Sequence, residues 1–519
     1  MTKNEELRKE VLARRKRILD ESRPSSVAYQ HERGKLTARE RISALCDNDS
    51  FLEFGGLAIP DNDNDASKPS YADALVTGWA NINGRPILIA SADFTVNGGS
   101  NGSVGLSKMR SCYERALNDG KPVIQLLEGV GHRISEGLDS RLFAEGVDTL
   151  GIQANMSGWV PSVAAILGQG FAAMTVVASL CDFVVLVRGI SSMGIAPPPL
   201  VKAAIGETCD TESLGGADFQ ANRNGVADYI ADNEAEAFEL IRRYLSYFPS
   251  NSAEPPPIID TRTPEPEFEN KLVDIVPTDM RIPYDVRKVI RGIVDAESIL
   301  EIKPGYAKNM VCCLARLGGR SIGIIANQPN YLAGSLDSAA CEKASHFICL
   351  CDAFGIPLLS LIDLPGFLVG VEAERSKLAR RSARLIYELS RISVPNYSIV
   401  LRKAYGAAYM GMNGGRSFGS DMALAWPTAE FAAMNVETAV DIAFKKQISQ
   451  AKEPKNEREN ILADIRSRLG PLRAAEGFGI DDVILPEHTR HYLIHALAKA
   501  PTRKQHRLTT LRTRGIPPI

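Results

Sequence analysis

The chain has 519 residues, 45% hydrophobic and 24% charged, the composition of a globular protein and not of a fibre or a disordered chain. That length suggests two large domains or about three and a half of ordinary size. Sixty Lys and Arg against 62 Asp and Glu leave a net charge of −2, which argues against nucleic acid as a partner. Nine cysteines, with no C-x-x-C pair, read as buried free thiols in a reducing compartment, and no metal site is expected.

Residues 3–22 read as one helix, stopped by Pro24, in which Glu5, Glu6, Glu10, Asp20 and Glu21 interleave with basic residues. That pattern fits a solvated or subunit-clasping helix better than a nucleic-acid arm. The stretch does not read as the apolar core of a signal peptide. The longest uncharged stretch, Thr149 to Cys181, contains Gln153, Asn155, Pro161 and Gln169. No membrane span is expected, and the chain is read as cytoplasmic.

Residues 74–92 predict two strands around a turn at Asn83-Gly84. A helix is expected over 107–117, and short apolar strands over 122–127, 163–167 and 183–187. Strands alternating with helices imply βαβ units and a mostly parallel sheet. Residues 248–267 then carry six prolines and four carboxylates, so an extended linker is expected over 251–283, between domains over 1–250 and 284–519.

Beyond it the same order returns: a strand over 321–325, a helix over 336–354, and strands over 357–362 and 399–401. One identical shift carries Gly84 to Gly319 and Pro122 to Pro357. A shift one position shorter carries Pro161 to Pro395 and Ala172 to Gly406. Four landmarks related by a common shift imply two copies of one α/β domain. The C-terminal stretch reads as helical and charged, ending in a basic tail, TRKQHRLTTLRTRGIPPI, that is either solvated or binds an acidic partner.

Gly168-Gln-Gly170-Phe-Ala-Ala173 matches the G-x-G-x-x-A dinucleotide fingerprint, and Arg188 stands where an NADP phosphate would want a cation. Its counterpart around Tyr405-Gly-Ala-Ala408 lacks the glycines. A reading that covers both copies is a small-residue turn from strand to helix, Phe171-Ala-Ala173 and Gly406-Ala-Ala408, whose backbone N–H groups form an oxyanion hole. Close helix–strand packing selects the same small residues.

Five segments, Gly34-Lys-Leu-Thr-Ala-Arg-Glu-Arg41, Ala326-Asn-Gln-Pro329, Asp363-Leu-Pro-Gly-Phe367, Arg402-Lys-Ala-Tyr-Gly406 and Ala425-Trp-Pro-Thr-Ala429, together with Leu214-Gly-Gly-Ala217, resemble the carboxyltransferase (beta) subunits of biotin-dependent acyl-CoA carboxylases, of the propionyl-CoA and methylcrotonyl-CoA type. The resemblance implies two duplicated crotonase-like (ClpP/crotonase) ββα-superhelix domains, with acyl-CoA on the first and carboxybiotin on the second. It implies a homo-oligomer, a dimer of active-site halves or a hexamer, and a separate biotinylated biotin carboxylase alpha subunit. It assigns the thioester oxygen to the N–H groups of Ala172 and Ala173, and the biotin ureido oxygen to those of Ala407 and Ala408. Around them it places Gly131, His132, Arg133, Gly170 and Phe171 on the acyl side, and Pro365, Gly366, Phe367, Tyr405, Gly406 and Met410 on the other. No side-chain base is implied, in keeping with the lack of a Ser/His/Asp or Cys/His constellation.

The chain departs from the family at several of these positions. Phe171-Ala-Ala-Met174 replaces Ala-Gly-Gly-Ala, Gly129-Val-Gly-His-Arg133 replaces Ser-Gly-Gly-Ala-Arg, Met410 replaces an acidic residue, and Gly194-Ile-Ala-Pro-Pro-Pro199 carries extra prolines. A changed acyl substrate is the first reading of these departures. A decarboxylase running the reverse reaction and a non-catalytic, biotin-independent acyl-CoA-binding paralogue are the alternatives.

Overall fold

The structure, a computed structural model, describes residues 2–60, 70–100, 102–129, 131–140, 144, 148–260, 262–504 and 515–517. Val130, and residues 505–514 and 518–519 of the basic tail, lie outside the described residues. The chain divides into two units, Met1–Glu254 with Thr513–Pro518, and Pro255–Arg512 with Ile519.

The first unit is built on eight strands: β1 (Leu52–Phe54), β2 (Leu75–Ile82), β3 (Arg85–Ala92), β4 (Val123–Gly129), β5 (Ser162–Phe171), β6 (Phe183–Val187), β7 (Ser192–Gly194) and β8 (Tyr229–Ala231). Their order is β1-β2-β3-β4-β5-β6-β8, with β7 also on β5. β1, β2 and β3 pair antiparallel and every later pair is parallel. The second unit repeats this with β9 (Leu300–Ile302), β10 (Met310–Leu317), β11 (Arg320–Asn327), β12 (Leu358–Leu364), β13 (Asn396–Tyr405), β14 (Met422–Ala425), β15 (Glu430–Ala432) and β16 (Asp482–Val483). The order is β9-β10-β11-β12-β13-β14-β16, with β15 on β13. Strand for strand the two sheets have one topology, as the shared shift of the sequence landmarks predicts.

Local chemistry explains the repeats. The β2–β3 and β10–β11 hairpins turn through Asn83-Gly84 and Gly318-Gly319, all four at positive φ, the geometry that twists with the flanking strands. The helices Ser103–Asp119 and Ser338–Ala353 each bury one lysine at the same register. Lys108 Nζ donates to the Ala72 and Leu75 carbonyls, and Lys343 Nζ to those of Lys303, Tyr306 and Met310. Burial pushes the Lys108 ammonium down to about 8 and lowers Lys343 as well. Each lysine gathers several carbonyls around a strand entry, which supply the acceptors a buried ammonium needs.

Two sequence expectations are revised here. The N-terminal helix spans Lys3–Arg17, capped by a Thr2–Glu5 box, and buries no residue; Asp20–Ser22 form a separate short turn. Residues 251–283 are more than a spacer. Ile259 N–H bonds the Gly319 carbonyl at 3.1 Å, Leu272 and Val276 enter the second core, and the Asp279 and Ile282 carbonyls accept from Arg402 at 3.0 and 2.8 Å. The apolar residues scattered among the prolines anchor the segment. Among the described residues no helix is long and apolar enough to cross a membrane.

Candidate active site

In each unit a central parallel strand ends in a turn that opens a short helix, and the loop from the preceding strand lies against it. In the first, β5 ends at Phe171, Ala172 turns at φ 58° and ψ −125°, and the helix Ala173–Ser179 begins. This backbone region is natural for glycine and strained for an L-residue. The loop after β4 leaves through Gly129 (φ 151°) and Gly131 (φ 93°). A Cβ on Gly131 would come within 3.1 Å of the Ala172 Cβ, and its φ of 93° favours glycine.

Hydrogen bonds decide which donors remain at this turn. Ala172 N–H is committed to the Gly194 carbonyl at 2.9 Å, so the expected Ala172 donor is already spent on holding β7 to β5. Thr175 completes the lock: its hydroxyl donates to the Gly170 carbonyl at 2.6 Å and accepts the Gly194 N–H at 2.8 Å. The sequence reading missed Thr175, because a threonine in the first turn of a helix carries no distinctive signal. The next N–H groups, those of Ala173 and Met174, have no intrahelical acceptor, as at any helix start. Ala173 is exposed, whereas Met174 is buried against Gly129.

The second unit repeats the arrangement. β13 ends at Tyr405, Gly406 turns at φ 65°, and the helix Gly406–Gly411 follows. Ala407 is exposed and Ala408 fully buried. The structural counterparts of Ala172, Ala173 and Met174 are therefore Gly406, Ala407 and Ala408, one register earlier than the expected pairing of Ala172–Ala173 with Ala407–Ala408. Gly366 (φ 139°) accepts the Leu336 N–H at 3.1 Å. Half-buried Phe367, beside Pro365, lies against this helix: a Cβ on Gly411 would be 3.5 Å from its Cζ. Both units carry the same bulge before the site, between Leu127 and Gly129 and between Ile362 and Leu364.

Several of the expected ligand residues also make contacts within the chain. Arg133 pairs with Asp73 at 2.5 Å and with Glu136 at 2.7 Å, and both acids accept from the N-terminal end of the helix Ser103–Asp119. Phe171 is fully buried and packs on Gly194. His132 lies against Gly137, where a Cβ would be 3.0 Å from its Cδ2. Tyr405 is buried with its hydroxyl on Glu430, and burial raises it well above the usual phenol range. Met410 is exposed on the helix Gly406–Gly411.

The dinucleotide reading does not survive. Gly168 and Gly170 lie inside β5 and not in a loop, and Arg188 is paired with Asp218 at 2.8 Å and Asp232 at 3.3 Å.

Comparisons with known proteins agree with this geometry. The carboxyl transferase domain model matches residues 29–515. The chain is 38% identical over 507 residues to the biotin-dependent acetyl-/propionyl-coenzyme A carboxylase beta5 subunit of Mycobacterium tuberculosis (strain CDC 1551 / Oshkosh), covering 94% of this chain and 91% of that one. It is 35% identical to the methylmalonyl-CoA decarboxylase subunit alpha of Veillonella parvula, covering 93% of each. The solved hexameric transcarboxylase 12S, with methylmalonyl-coenzyme A and methylmalonic acid bound, superposes with a TM-score of 0.88 at 36% identity, covering 96% of this chain and 95% of that chain. The chain belongs to the carboxyl transferase family, as a carboxyltransferase (beta) subunit of the biotin-dependent acyl-CoA carboxylase type.

Proposed function

We propose that the first unit holds an acyl-CoA thioester at the Ala173 end of its turn, and that the second holds the biotin ureido group at the Ala407 end of its own. The observation that carries this is the duplication itself: one strand–turn–helix device occurs twice, each time with an exposed helix-start residue beside a glycine loop. N–H groups at a helix start suit an oxygen on which negative charge develops, through the orphan donors and the dipole together. The second turn offers a backbone N–H group with no side-chain carboxylate on Gly406, Ala407 or Ala408, a fit for a ureido oxygen.

Biotin, when bound, supplies a carboxyl group carried on its ureido nitrogen. The chain's own part is to hold the thioester oxygen as the α-carbon loses its proton, so that charge moves onto an oxygen already facing N–H groups. The departures at Ala172 and Met410 point to an acyl group other than that of the propionyl-type members. The protein would work as a homo-oligomer, a hexamer by analogy with transcarboxylase 12S, beside a biotinylated subunit in the cytoplasm. The Veillonella relative supports a second reading, decarboxylation of a carboxylated acyl-CoA by the same turns.

The test is to mix the purified protein with free biotin and malonyl-, methylmalonyl- or longer carboxylated acyl-CoA thioesters, and to follow biotin-dependent carboxyl loss from the thioester. Transfer with one of them is expected. Acyl-CoA binding with no transfer, even with a biotinylated partner subunit added, would replace this reading with that of a non-catalytic paralogue.

A further inference from the structure

Two buried carboxylates stand at equivalent places, immediately before the two site loops. Glu128 on β4 and Asp363 on β12 are related by the same shift as Gly84 and Gly319, and both are fully buried. On the neighbouring strand the copies differ. The second has Arg402 on β13, whose Nε meets Asp363 Oδ2 at 3.0 Å, while Asp363 Oδ1 accepts the Lys403 N–H at 3.1 Å. One carboxylate thereby ties the end of β12 to β13, just before the turn at Tyr405. The shift that carries Ala172 to Gly406 carries Gly168 on β5 to Arg402, and a glycine brings no cation.

The first copy draws its cations from elsewhere. A Cβ on Gly168 would fall 2.6 Å from the Glu128 Cδ, so the glycine leaves room for the longer Glu128 side chain. Through that gap Glu128 reaches the N-terminal segment: Arg41 Nη1 at 2.7 Å, Lys35 Nζ, and Gln30 Nε2 at 3.0 Å. Arg41 also donates to the Leu167 carbonyl of β5 at 3.0 Å and pairs with Glu234 at 2.8 Å. Arg41 is fully buried, on a helix (Ala38–Leu45) opened by a Thr37–Glu40 capping box. It does from outside the sheet what Arg402 does from within β13: it joins a carboxylate on one strand to the strand that carries the turn.

The Glu128 backbone is itself closely packed at the start of the loop that follows it. A Cβ on Gly99 would overlap the Glu128 carbonyl, and Gly129 begins the path that brings Gly131 against Ala172. At the far end Arg133 is clamped by Asp73 and Glu136. The described residues on either side of Val130 are therefore held by contacts within the unit.

We propose that Glu128 is a positioning residue for the first turn, and that the segment carrying Gln30, Lys35 and Arg41 is an integral part of that half of the site. Asp363 is its counterpart for the second turn. The inference rests on the assignment of the acyl-CoA to the first unit and of biotin to the second.

The experiment compares full-length wild type, Glu128→Gln and Asp363→Asn in carboxyl transfer to free biotin from whichever of malonyl-, methylmalonyl- or longer carboxylated acyl-CoA thioesters wild type uses best. E128Q keeps shape and removes charge. Displacement of the loop by a fraction of an ångström is expected to lower kcat/KM for the acyl-CoA on the order of ten- to a hundredfold, with the KM for biotin unchanged. D363N is expected to do the converse, and Glu128→Asp, which keeps the charge, to recover part of the loss. Equal effects of E128Q on both substrates, or none, would overturn the proposal. Should E128Q not fold, Lys35→Met at the rim of the same network carries the test: a smaller loss confined to the acyl-CoA supports it, and unaltered kinetics overturn it. If wild type transfers nothing, the functional reading fails and positioning is still read by hydrogen exchange. Lost protection in residues 131–137 of E128Q supports the proposal, and unchanged protection contradicts it.

Discussion

Ala172 lies at φ 58° and ψ −125°, where its counterpart is Gly406 at φ 65°. Replacing Ala172 with glycine removes a strain of about 1–3 kcal/mol. Against this stand about 0.5–1 kcal/mol of extra unfolded-state entropy and roughly 0.4 kcal/mol for half of one buried methyl. Taking the middle of each range, Ala172→Gly stabilises the protein by about 1 kcal/mol, a rise in Tm of ~2–4 °C for a unit of this size. Ala173→Gly, one residue on and inside the helix, has no strain to relieve and is expected to cost about 0.5–1 kcal/mol. Gly406→Ala imposes the strain on the second copy, where the new Cβ would sit 3.3 Å from the Ala433 carbonyl, and is expected to lower Tm. Thermal scans and urea titrations of the three variants read the signs directly. A172G melting below wild type, in step with A173G, would refute the claim that this turn is strained.

Other positions give independent tests. Gly168→Ala drives a Cβ into the buried Glu128 side chain and is expected to cost about 2–3 kcal/mol in a urea titration; a loss under about 0.5 kcal/mol would show that the gap is not needed. Burial, with the charge of Asp228 adding to it, pushes Asp182 up to about 7, although it accepts from Ser162 N–H and Oγ at 2.8 and 2.9 Å. Between the ordinary carboxyl value and that pKa the folded state holds a proton that the unfolded state releases, so stability falls as pH rises from about 4 to 7. Asp182→Asn is expected to flatten the decline of Tm between pH 5 and 7.5, and an unchanged slope would count against it. Eight of the nine cysteines are buried, Cys209 being the partly exposed one, and burial pushes thiols such as Cys112 and Cys312 up to about 12. A thiol reagent at neutral pH should label one cysteine per native chain and nine after unfolding; rapid labelling of several would contradict the packing.

The sequence carried the duplication because its landmarks are punctuation. Asn83-Gly84, Pro122 and Pro161 mark turns and strand entries whose chemistry returns at Gly318-Gly319, Pro357 and Pro395. The turns Phe171–Ala173 and Tyr405–Ala408 were legible for the same reason, since small residues at a strand–helix junction are local signals. Hydrogen-bond commitments were not. Only the β5–β7 ladder reveals that Ala172 N–H is taken, and only burial separates exposed Ala407 from buried Ala408. Nor does the sequence show that Arg133 pairs with Asp73, far back in the chain. The motif Gly34–Arg41 was visible, yet its partner Glu128 lies in another element, and no spacing rule predicts an ion pair across so long a stretch of chain. A carboxylate ending the apolar run Val-Ile-Gln-Leu-Leu-Glu128 was the one hint, because a buried charge calls for a partner.

The most direct test of the account removes one donor at one turn. Proline is tolerated in the first turn of a helix and lacks an N–H, so Ala173→Pro deletes the proposed thioester donor while keeping the helix start. In carboxyl transfer to free biotin from the carboxylated acyl-CoA that wild type uses best, kcat is predicted to fall on the order of 10²–10³-fold, with the KM for biotin unchanged and the fold intact by circular dichroism. A folded A173P enzyme that transfers carboxyl groups at the wild-type rate would contradict the central claim that the backbone at this turn stabilises the developing oxyanion.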